Sequence, residues 1–250
     1  VISDDGKLIS DSTDFRIPVR VEKAGEINDV GSSFVSVEAL GTGLIDLEGS
    51  LISEDLQINA PFMIRGTTVS NAGNSANAVK LSKPGSFTDN TVNGKIFLTA
   101  KTHEFHGNNA AEAEIAAPLG DGFDPSGIQD SYQTWSTLIE EGDSVTWPSD
   151  VPLLLKDRFD GTSTPRSIAG ELILQQGTIA AHPNSALSSI TIKVEDSGRA
   201  DFSGSDLMLS SQESTGKLHS SGELLLVEST VRADTKLAGT FTARESNFSA

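Results

Sequence analysis

The last third of the chain alternates apolar and polar residues in short runs that recur along the sequence. Gly170–Ala181 (GELILQQGTIAA) matches Gly222–Ala233 (GELLLVESTVRA), and Gly239–Ala250 (GTFTARESNFSA) repeats the pattern. Segments from Ser188 and Ser205 fit between them more loosely, so the expected coil starts are 170, 188, 205, 222 and 239, with steps of 18, 17, 17 and 17. Fixed-period self-similarity of this kind is the mark of a stacked repeat. Alternate strand residues share a face. Leu172 and Leu174, Ile190 and Ile192, Leu207 and Leu209, Leu224 and Leu226, and Phe241 and Ala243 are therefore predicted to point inward. A corner follows at Gly177-Thr178, Ser229-Thr230 and Ser246-Asn247, where small or hydrogen-bonding residues suit a sharp turn. A second short strand then carries Ile179, Val231 and Phe248 inward. The third side of each coil shows no consensus, which leaves the cross-section open.

The front of the chain carries looser versions of the same signal. Ile45, Leu47 and Leu51 alternate, as do Leu56 and Ile58, and Phe62, Ile64 and Val69 continue the theme. Gly94–Leu98 resembles a coil start, with His103 and Phe105 in the strand after it. Turn clusters at 41–43, 70–77 and 89–94 punctuate these runs. The expected organisation is irregular coils over 1–106, an insertion over 107–169, and regular coils over 170–250. The insertion holds Tyr132, Trp135 and Trp147 and five prolines. Within it Ile128, Tyr132, Trp135 and Leu138 fall near helical spacing and predict a short helix over Ser126–Glu141. Insertions in solenoids map to one side of the stack, often the binding side. Tyr132, Trp135 and Trp147 are therefore the candidate binding residues. The fold class is all-β, a parallel β-helix with coils of about 17 residues and one large loop insertion.

Composition narrows the function classes. Only 36% of the 250 residues are hydrophobic, which suits coils that each bury a thin row of side chains. The net charge of −17 repels phosphate backbones and anionic membranes and sets nucleic acid aside. The absence of cysteine removes disulfides and thiolate chemistry. No apolar run reaches the roughly 18 residues of a membrane span. The chain begins at Val1, and its last repeat closes at Ala250 without a visible cap. It reads as a section of a longer rod.

Candidate chemistry is sparse. His103 and His106 lie three apart on a strand and face opposite sides, whereas Glu104 and His106 share a face. Two acidic turns, with Asp121 and Asp124 and with Asp157 and Asp160, supply oxygen ligands near glycine and make Ca²⁺ the candidate metal. Both lack the full Asp-x-Asp-x-Asp-Gly spacing. Glu228 and Glu245 are expected to stack on adjacent coils and splay into water. No Gly-x-Ser-x-Gly segment, Walker loop or dinucleotide fingerprint is present. The Asn-Thr-Asp, Asp-Asp, Gly-His-Gly and Arg-Ile-Lys segments of polygalacturonases are not there in order.

The repeat style of 170–250 resembles the coils of filamentous-haemagglutinin-like adhesins and autotransporter passengers. The Asn-Pro-Asn motifs of two-partner secretion are missing. The resemblance implies a right-handed β-helix outside the cell, on a bacterial surface or in a fibre. Its partners would be a host-surface glycan or protein receptor, or neighbouring fibre subunits, with no nucleic acid and no membrane insertion. A structural and adhesive role is expected ahead of an enzymatic one. The alternatives are a polysaccharide-degrading β-helix lyase or glycoside hydrolase, whose carboxylates from successive coils would converge in a groove, and a phage tail-fibre or tailspike segment.

Overall fold

The computed structural model describes residues 1–156, 165–185, 189–211 and 214–249. The chain divides into two compact units, Val1–Glu114 with Pro125–Asp130 and Ile115–Asp124 with Ser131–Ala250. All named elements among the described residues are β-strands, and the strands pair in parallel. Each unit is a β-solenoid with three strands to a turn.

In the first unit, one face stacks Lys7–Asp11, Glu26–Val30, Ile45–Glu48, Phe62–Arg65, Gly85–Thr88 and Glu104–His106. A second face stacks Asp14–Phe15, Ser33–Phe34, Leu51–Ile52, Thr68–Val69 and the start of Thr91–Leu98. A third stacks Val19–Lys23, Val37–Gly41, Leu56–Ile58, Val79–Leu81 and the end of Thr91–Leu98. Inward residues form apolar columns such as Val19–Val37–Leu56–Val79–Ile96, all buried. Most outward residues are polar, so these parallel strands keep the alternation of a half-buried sheet.

The second unit repeats the plan. Glu171–Leu174, Thr178–Ala181 and Thr191–Val194 make one turn, and Arg199–Asp201, Asp206–Met208 and Lys217–Ser220 the next. Glu223–Val227, Thr230–Arg232 and Asp234–Leu237 follow, and then Thr240–Arg244 and Asn247–Ser249. The matched segments at 170, 222 and 239 do share one face, and their inward positions lie on one column, Leu172–Ala200–Leu224–Phe241. The steps differ from the expected 17. Glu171 pairs Arg199, Arg199 pairs Glu223 and Glu223 pairs Thr240, steps of 28, 24 and 17. Ile192 and Leu207 are buried as expected, but on the third and second faces rather than as fresh coil starts. All three sides alternate apolar residues inward, so the missing third side passed as an extra repeat. Ser188 itself lies outside the described residues.

Two other expectations change. Ser126–Glu141 forms strands Ile128–Gln133 and Thr137–Ile139 rather than a helix. Ile128, Tyr132 and Leu138 are even numbers of residues apart and so also satisfy a strand period. Tyr132 and Gln133 gain ladder partners in Leu154 and Leu155. Residues 107–169, expected to leave the stack, contribute strands to it. Ser144–Trp147 pairs with Glu171–Leu174, Leu153–Leu155 with Thr178–Ala181, and Arg166–Ile168 with Thr191–Val194. The long step from Ser144 to Glu171, 27 residues, hides that register in the sequence.

The corner between the first and second faces explains why the stack holds. Gly31, Gly49, Gly66, Asp89 and Gly107 in the first unit, and Gln176, Gly204, Glu228 and Glu245 in the second, all have φ between 54° and 69°. This left-handed conformation costs glycine little and other residues about 1 kcal/mol. The next residue turns a small polar side chain into the interior: Ser32, Ser50, Thr67, Asn90, Asn108, Ser205 and Ser229 are all buried. Asn90 Oδ1 accepts the Thr67 N–H at 2.9 Å, and Asn90 Nδ2 donates to Ile64 O and Asn108 Oδ1, each at 3.1 Å. Ser205, Ser229 and Ser246 hydroxyls donate to Leu174, Phe202 and Leu226 carbonyls at 2.6–2.9 Å. Backbone groups that the bend would leave unpaired are thus satisfied from an adjacent coil.

Asn90→Ala removes these bonds at a buried site and is expected to lower unfolding stability by about 2–3 kcal/mol in urea titrations. Asn93→Ala, at an exposed position on the following strand, is expected to stay within about 0.5 kcal/mol.

Candidate functional site

The three candidate aromatic residues separate. Tyr132 and Trp147 are core residues of the second unit, 2% and 1% exposed, while Trp135 is 40% exposed. Trp147 Nε1 donates to Val151 O at 2.6 Å, and its ring lies 5.9 Å from that of Phe123. Tyr132 lies 4.6 Å from the His182 ring, with Lys156 Nζ 4.4 Å from its centroid. Only Trp135 is open to a ligand. Its carbonyl accepts a 2.8 Å bond from the buried Arg166 guanidinium, which also donates to Lys156 O at 3.0 Å.

Of the two acidic turns, the one at Asp121 is tied to a sheet. Asp121 Oδ1 accepts the Ser144 N–H at 2.6 Å and so caps a strand at the open side of its sheet. The half-buried Asp124 engages a neighbour of its own. Asp157 and Asp160 lie outside the described residues. Among the described residues, no three His, Asp or Glu side chains are grouped to hold a metal ion. His103, Glu104 and His106 sit at the end of the first face, where the exposed Glu104 accepts the Ser86 hydroxyl at 2.9 Å.

From Asp121 a polar chain runs along the second unit. Ser144 Oγ donates to Glu171 Oε2 at 2.6 Å, and Arg199 pairs with Glu171 and, at 3.4 Å, with Glu223. Glu171, Arg199 and Glu223 are direct register partners. The Ser144 hydroxyl and then the Arg199 guanidinium hold the Glu171 carboxyl below its ordinary range, against the opposing effect of burial. The first unit repeats the theme: Arg65 faces Glu48 at 2.7 Å and lowers its pKa, and Lys7 faces Glu26 at 3.2 Å.

Clefts open on the first unit. One, of 470 Å³, sits at the end of the second face between Phe15, Arg16, Leu51 and Ser53. The Phe15 and Phe34 rings stack there at 4.9 Å and 4°. Leu51, expected inside with Ile45 and Leu47, is 53% exposed, and its neighbour Ile52 is buried instead. The left-handed Gly49 followed by inward Ser50 shifts the alternation by one residue. The Gly-Ser pair was the signal available in the sequence. A second cleft, of 330 Å³, lies on the first face between Met63, Arg65, Ser86, His103 and Glu104. It brings together one carboxylate, where paired-carboxylate hydrolysis needs two. No family model matches the chain, and no curated protein or solved structure matches it either.

Because the folded pKa of Glu171 is depressed, its pairing adds stability above the unfolded value of about 4.3. That stability is lost as pH falls through the lower folded value. Glu171→Gln is expected to lower the melting temperature at pH 7, with a loss of stability under about 1 kcal/mol for a surface network. The difference between the two proteins should narrow in thermal scans as pH falls below the ordinary carboxylate range.

Proposed function

We propose that the chain is an extracellular structural and adhesive β-solenoid of a bacterial surface or fibre protein. The observation that carries this reading is the parallel register within each unit. Ladders hold every turn to the next, and outward columns are free to carry contact residues. The aromatic corner cleft of the first unit, with the exposed Leu51 at its mouth, is the favoured contact point for a host-surface glycan or protein receptor. Large exposed apolar side chains beside an aromatic groove are common at interaction sites. Trp135 is the second contact residue, retained from the segment 107–169.

The test is binding and turnover on an immobilised panel of glycans and extracellular-matrix proteins. The wild-type chain is expected to capture a panel member without releasing product. Leu51→Glu, at an exposed position that leaves the fold intact, is expected to weaken that capture at least about tenfold. Trp135→Ala is the companion variant. Release of reducing or unsaturated sugar ends would replace the structural reading with the enzymatic one.

A further inference from the structure

On the third face of the second unit one outward column sets basic residues opposite one another. Elsewhere several columns set opposite charges across the ladder: Arg20 and Glu38, Arg65 and Glu48, and Arg199 between Glu171 and Glu223. On the third face, Lys193 is the register partner of His219, and His219 of Lys236. Their neighbours Ile192 and Leu218 are buried, so the three side chains point outward. Lys217 stands beside them, in register with Thr191 and Asp234. Lys193 has one local partner, Glu195 at 2.5 Å. Lys217, His219 and Lys236 make no ion pair among the described residues.

Basic side chains directly opposite on adjacent strands, about 4.8 Å apart, repel and so disfavour the sheet when both are protonated. A bound anion reverses that sign. We propose that this column binds a linear acidic polysaccharide, laid along the stack so that successive carboxylates or sulfates meet Lys193, His219 and Lys236. The proposal rests on the adhesive reading and gives it a ligand class at a second surface. Its geometry is that of an extended polymer: the column adds one basic residue per turn, with Lys217 beside His219 on the same strand. Ser167 and Thr191 flank Lys193 with hydroxyls suited to sugar. The outward residues of these strands include no Phe, Tyr or Trp ring on which a nucleobase could stack. The chain's −17 charge opposes polyanions at long range, but salt screens it beyond about 8 Å, leaving the local field of the column to act on contact.

The experiment measures binding of polygalacturonate to the whole chain. Uncharged dextran, duplex DNA and phosphatidylserine vesicles run alongside. Polygalacturonate is expected to bind, to raise the melting temperature and to be released by added salt. His219→Glu with Lys236→Glu should weaken it at least about tenfold, whereas Lys236→Arg should retain it. Circular dichroism checks the fold of each variant. If the double variant does not fold, Lys236→Glu alone is compared with Lys236→Arg. Equal binding by wild type and folded Glu variant, equal binding of dextran, or tighter binding of DNA or vesicles overturns the proposal. Capture of a panel member without any polygalacturonate binding overturns this proposal alone. Capture of neither overturns the adhesive reading as well.

Discussion

A solenoid must bend its backbone at every corner without stranding the peptide groups in the bend. Here that constraint is met by pairing a left-handed residue with a small polar residue turned inward. The bond goes to an adjacent coil: Asn90 takes the N–H of Thr67, and the Ser229 hydroxyl reaches the carbonyl of Phe202. Corner and stack therefore stabilise one another. An isolated turn would leave these groups unpaired, and an apolar replacement would bury them unsatisfied. The apolar columns supply most of the burial, but they would tolerate sliding. The polar corner fixes which turn sits on which.

The same corner decided what could be read from the sequence. Strand alternation and the pairs Gly177-Thr178, Ser229-Thr230 and Ser246-Asn247 were legible, and with them the solenoid class. The turn length was not. A period-17 reading joined three different faces because Leu172, Ile192 and Leu207 all point inward on strands of the same style. Left-handed corners at 176, 204, 228 and 245 mark the turns directly, and they fall on Gln, Gly, Glu and Glu. Two glutamates in that conformation show why composition alone hid them. Tyr132 and Trp147 misled for a related reason. Aromatic residues in a region of irregular spacing suggest a binding surface, yet they fill the core at positions equivalent to Leu154 in the ladder and Leu174.

Electrostatics adds a second order along the axis. In a chain with 35 acidic and 18 basic residues, several outward basic groups, among them Lys7, Arg20, Arg65 and Arg199, are placed against carboxylates of an adjacent turn. Such pairs are individually weak at the surface. Their register matters more, because it sets off the column of facing basic residues from its surroundings. The contact residues could not be drawn from the sequence, since Lys193, His219 and Lys236 become neighbours only when turns of 26 and 17 residues are stacked.

The unequal turn lengths carry a further consequence. Register steps in the second unit run from 17 to 30 residues, yet the corners and inward columns stay aligned. The surplus residues lie in the connections between faces, as between Ala181 and Thr191 or Met208 and Lys217. Corners act as a ruler, and the links between them as slack. Residues can be gained or lost in the slack without shifting the side chains that line up along the stack. The fold thereby separates two kinds of sequence change: drift in loop length, which it absorbs, and drift in corner identity, which it does not.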